Sequence, residues 1–146
     1  MRAWPLLGIL FIQVFLCFAH WFLFFTWMHA GWPMGPAATA ALGVALAVLA
    51  FCFPVAALLG FRWESAPVVL LYRLASVWLG LLNFLFWGAC LFWLADGLLR
   101  LAPDDLHLRV RPFIALALLV TSAFVTFCGL INARIIRLRR VTVALP

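Results

Sequence analysis

Residues 31–36 read Gly31-Trp32-Pro33-Met34-Gly35-Pro36, inside a stretch that carries no Asp, Glu, Lys or Arg between Arg2 and Arg62. About 20 apolar residues are enough to cross a bilayer, so a run of this length must cross twice. Two glycines and two prolines in six positions mark where it turns back: proline ends a helix and glycine accepts the turn. Trp32 suits the headgroup layer. The first span then covers about residues 4–29 and the second about 37–60.

The rest of the chain has the same character. With 69% hydrophobic and only 10% charged residues, and a mean hydropathy of +1.22, it lies far from soluble proteins, in which charged residues run near a quarter. All ten basic residues are arginine and the net charge is +6. A nucleic-acid reader needs a basic, water-facing surface, and this sequence has none to offer, so no nucleic-acid partner is expected. The first span is too long for a signal-peptide core of about 7–15 residues and is expected to remain. Leu16-Cys17 is a poor lipoprotein box, because a bulky Leu16 stands where a small residue is wanted.

Beyond Gly60 the polar link Phe61 to Pro67 leads into a third span at about 70–99. Arg73 near its start has a stem long enough to reach the headgroups, and Asp96 and Arg100 near its end are four apart and can pair on one helix face. A second polar stretch, Leu101 to Arg111, reads as a loop before a fourth span at about 112–133. The fold class expected is therefore an all-α integral membrane protein: four transmembrane helices in an antiparallel bundle over residues 1–133, then a basic juxtamembrane tail over 134–146.

Several residues read as packing or topology devices. In span two Gly43, Ala47 and Ala50 form a small-residue face, and Pro54 deprives the Ala50 carbonyl of its helical N–H. In span three Ser76, Gly80, Asn83 and Trp87 recur at four, three and four, hence on one face. Asn83 is the deepest strongly polar residue, and its amide calls for a partner across a helix interface. In span four Ser122, Thr126, Gly129 and Ala133 make a similar stripe. Cys17, Cys52, Cys90 and Cys128 fall singly, without the paired spacing of zinc or redox sites, and read as small buried hydrophobes. No catalytic, cofactor-binding or metal-ligating residue is expected within the spans.

Arginines on alternate sides set the orientation. With the N-terminus inside, Arg2, Arg62, Arg73, Arg134, Arg137, Arg139 and Arg140 face the cytoplasm, against Arg100, Arg109 and Arg111 outside. Both termini are expected on the cytoplasmic face of the cell (inner) membrane, with Arg134, Arg137, Arg139 and Arg140 beside anionic headgroups. Val141, Val143 and Leu145 then alternate with Thr142 and Ala144, a strand-like period of two. A lone strand needs partners, so a soluble domain is expected to begin here and to lie outside these 146 residues.

This tail, Asn132-Ala133-Arg134 and then Arg137-Leu138-Arg139-Arg140-Val141-Thr142-Val143-Ala144-Leu145-Pro146, resembles the domain entry of membrane-bound calcineurin-like metallophosphoesterases. Four preceding spans, with Tyr72-Arg73-Leu74, Trp78-Leu79-Gly80 and the closing Asp96, are similar to that family's N-terminal region. The resemblance implies a following β-sandwich with two divalent metal ions that hydrolyses phosphate esters, and makes this chain its non-catalytic membrane anchor. Asp105-Leu106-His107 has the D-x-H spacing with which such metal sites begin, yet it lies between two spans with no Asp, Glu or His after it, so it reads as an ordinary polar loop. The alternatives are a stand-alone bundle acting as a small transporter or partner-binding subunit, and a haem- or quinone-binding subunit. The transporter lacks a carboxylate near a midplane. The haem subunit lacks facing histidines, since only His20 is deep within a span.

Overall fold

The computed structural model describes residues 4–63, 65–101 and 104–134. They form four helices: α1 (Trp4–His29), α2 (Pro36–Gly60), α3 (Ala66–Leu99) and α4 (Asp104–Arg134). Each is long and apolar enough to cross a membrane, which makes the chain a multi-pass membrane protein. The strand-like segment after Val141 lies outside the described residues, as do Arg137, Arg139 and Arg140.

The turns form where glycine and proline dictate. Gly31 follows α1 with φ +87°, the left-handed conformation that ends a helix and that a Cβ would strain. Pro36 opens α2 in its first turn, where its missing N–H costs nothing. Pro67 does the same for α3, so α3 begins at Ala66 rather than near residue 70.

The start of α4 departs further from expectation. Residues 104–111, read above as loop, are helical, with Pro112 inside α4. Falling hydropathy marks where a chain leaves hydrocarbon, whereas a helix continues until its backbone bonds are interrupted. At 1.5 Å per residue the 34 residues of α3 span about 51 Å and the 31 of α4 about 46 Å, well beyond a hydrocarbon core of about 30 Å. Their ends therefore reach into the headgroup layers.

α3 is the centre of the assembly. It packs on α1, α2 and α4, while α1 and α2 also pack on each other. Leu16 and Ala19 of α1 bury against Leu82, and Phe86 meets the rings of Phe15, Phe18 and Phe22 at 6.0, 6.5 and 5.5 Å. Near the other end Ala30, Phe92 and Ala115 form a second cluster, and the Pro112 ring lies against Gly31. α3 and α4 approach closely at Gly88, where a Cβ would stand 2.8 Å from the Ser122 hydroxyl. Cys17, Cys52, Cys90 and Cys128 are free thiols.

Candidate functional site

The most charged constellation lies where α3 and α4 meet at the hairpin. Asp96 is on the last full turn of α3, its side chain only 1% exposed, and Arg100 follows one turn later. Extending α4 back to Asp104 places His107 and Arg111 one turn apart on a face turned towards Asp96. Two i, i+4 pairs thus converge on one carboxylate.

Both carboxylate oxygens are engaged. Arg100 donates to Oδ2 from Nη2 at 3.1 Å and from Nε at 3.3 Å. His107 Nε2 donates to Oδ1 at 2.9 Å. Arg111 Nε stands 2.9 Å from the same oxygen, an ion-pair contact whose N–H is not aligned for a hydrogen bond; its guanidinium lies over the Phe92 ring at 5.7 Å. A buried carboxylate needs such company, because taking it out of water unpaired costs several kcal/mol. With two guanidiniums against one carboxylate, the cluster carries a surplus positive charge, and Arg100, 61% exposed, presents it outward to the headgroup layer.

These contacts tie the end of α3 to the start of α4. Guanidiniums stand against both Asp96 oxygens and repel a cation, so the Asp96 and His107 pair does not suit a metal. Among the described residues no three His, Cys, Asp or Glu side chains come together as ligands would. The side chain of Asp105 lies outside the described residues; the His107 ring turns to Asp96.

Deeper in the membrane several polar side chains are also spent on the chain itself. His20 is buried, donates from Nδ1 to the Leu16 carbonyl at 2.7 Å and accepts from Trp78 Nε1 at 3.0 Å. Both ring nitrogens are used, which fixes the neutral Nδ1–H tautomer and leaves no lone pair for haem iron. Trp93 Nε1 donates to Thr26 Oγ1 at 2.9 Å, a second link between α1 and α3. Gln13 donates to Cys17 Sγ at 3.2 Å and to the Ala50 carbonyl at 3.3 Å. His29, at the exposed end of α1, bonds the Phe25 carbonyl at 2.8 Å.

The stripe residues divide between two environments. Ser122 and Thr126 are buried; Ser122 donates to the Phe84 carbonyl of α3 at 3.2 Å, and Thr126 to the Ser122 carbonyl at 2.8 Å. Ser76 donates back to the Tyr72 carbonyl at 2.8 Å. Gly80 and Gly129 have open space around the position of a Cβ, and Asn83 is exposed. Arg134 closes α4. Sequence reasoning paired Asp96 with Arg100 but did not bring in His107 and Arg111. The signal was present: a second i, i+4 pair just beyond a short connection, hidden by reading residues 101–111 as loop.

Comparison of the chain with protein-family models, with curated proteins and with solved structures returned no match.

Proposed function

We propose that the four helices are a non-catalytic membrane anchor, and that the domain they hold is a calcineurin-like metallophosphoesterase entered by the segment after Val141. One observation carries the anchor reading: Asp96, His20, Thr26, Gln13 and Ser122 are committed to hydrogen bonds and ion pairs within the chain. α4 continues as helix to Arg134, which supports delivery of the chain to the membrane surface where the arginine-rich tail begins. The metal-dependent hydrolysis of phosphate esters rests on the resemblance of that tail, and belongs to the domain beyond it. There, two metal ions would supply a bound hydroxide and stabilise charge on the phosphoryl group.

The test is the reading frame beyond the codon for Pro146. The expected result is a continuing frame with a strand, a D-x-H motif and later G-D and G-N-H motifs. A stop codon directly after Pro146 would remove the phosphoesterase and leave a four-helix membrane protein.

A further inference from the structure

Asn83 stands at the midpoint of α3, as far from either headgroup layer as this helix allows. It is exposed, at the mouth of a shallow cleft of about 160 Å³ whose other walls are Phe15, Leu16, Ala19, Leu79, Leu82 and Phe86. Among the described residues no side chain or carbonyl bonds its amide. A hydroxyl in this position satisfies itself by bonding the carbonyl one turn earlier, as Ser76 does to Tyr72 and Thr126 to Ser122. An amide, with two N–H donors and a carbonyl acceptor, is not satisfied that way. Lipid tails have nothing to offer it, and an unmet polar group in hydrocarbon is costly.

The bilayer restricts what can meet this amide. Copies that insert in the same direction lie at the same depth, so two such copies are related by rotation about the membrane normal. Whatever the rotation of the second copy about that normal, its Asn83 lies at the depth of the first copy's Asn83. A carboxamide is self-complementary: each can donate to the other's carbonyl, giving two reciprocal hydrogen bonds about a two-fold axis. The helix surface permits the approach, because one turn below, at Gly80, a Cβ would meet nothing within 4 Å. One turn above, Trp87 is 61% exposed, a large apolar ring without a place in the chain's own core.

We propose that this face of α3 is a homodimer interface, in which two copies pair in parallel through Asn83, with Gly80 and Trp87 as its flanks. Ser76, already bonded to its own helix, contributes only its small size.

The chain is labelled with one fluorophore per copy, reconstituted in liposomes at falling protein-to-lipid ratio, and counted by single-molecule photobleaching. The expected result is a dimer that dissociates on dilution, with a dissociation constant raised about 3- to 20-fold by Asn83→Leu, the range of interhelical polar bonds in membranes, and largely restored by Asn83→Gln. Because Asn83 is exposed to lipid, Asn83→Leu keeps the helical circular dichroism and thermal midpoint of the parent. As a second measurement, with Cys17, Cys52, Cys90 and Cys128 replaced by alanine, Asn83→Cys forms a disulfide-linked dimer on mild oxidation and Val48→Cys, on the outer face of α2, does not. A monomer at every dilution, an Asn83→Leu dimer as tight as the parent, or cross-linking at Val48→Cys in preference to Asn83→Cys would each overturn the proposal.

Discussion

The side-chain amide of Gln13 donates to the carbonyl of Ala50 at 3.3 Å, and that is the carbonyl from which Pro54 withholds the usual helical N–H. Proline is tolerated in membrane helices when a neighbour re-satisfies the freed backbone group; here α1 supplies it to α2. The pair predicts non-additivity. Gln13→Leu should destabilise the parent by about 1 kcal/mol, and by much less in a Pro54→Ala background, where the Ala50 carbonyl regains its own helical partner. Reversible unfolding in mixed micelles across the four-member cycle measures the coupling.

Asp96 should dominate the hairpin cluster. Asp96→Ala leaves two guanidiniums facing each other with Arg111 largely buried, and is expected to cost about 3 kcal/mol, in the range for stripping one partner from a buried pair. Arg100→Ala, removing a side chain that is 61% exposed, should cost less than about 1 kcal/mol. His107→Phe and Arg111→Met should fall between them. Equal losses at Asp96 and Arg100 in thermal unfolding would contradict this ranking.

Gly88→Ala should loosen the α3 and α4 contact, because the new methyl would lie 2.8 Å from the Ser122 hydroxyl. Ser122 must turn away and surrender its bond to the Phe84 carbonyl, at an expected cost of about 1–2 kcal/mol. Ser122→Ala makes room, so the double variant should be more stable than Gly88→Ala alone. Gly129→Ala, which meets nothing, should be neutral or stabilising by up to about 1 kcal/mol, the helix-propensity gain.

His20 should be observed by ¹⁵N NMR as the neutral Nδ1–H tautomer, with Nε2 as acceptor. Trp78→Phe removes the donor to Nε2 and should shift the Nε2 resonance while leaving the Nδ1–H bond to Leu16 in place. A protonated ring, or an Nε2–H tautomer in the parent, would contradict the hydrogen-bond assignment.

The four spans were legible because charge-free runs have no other use at such length, and the turn at residues 31–36 because glycine and proline leave few choices. The helix ends were less so. Hydropathy reports the membrane boundary, and the backbone of α4 passes through it at Arg111 and Pro112 without a break. Periodicity placed Gly80, Asn83 and Trp87 on one face of α3, as they are, but could not say which way that face points. In water an apolar face turns inward; in a bilayer, lipid is as apolar as the core, and the contrast that would orient the helix is missing. The Asp96 cluster was half visible for the same reason as α4: its α3 pair lay within a recognised helix, and its α4 pair did not.

The unequal lengths of the helices couple this protein to the thickness of its membrane. At 25 residues α2 spans about 38 Å, some 13 Å less than α3, so no single bilayer matches both along its normal. Thinning the membrane would bathe the Asp96 cluster in water and screen its attractions; thickening it would draw the same charges towards hydrocarbon, where the two guanidiniums grip the carboxylate harder. The hairpin of α3 and α4 would then be stiffer in a thick bilayer than in a thin one, a mechanical response to lipid composition for which the chain requires no bound effector.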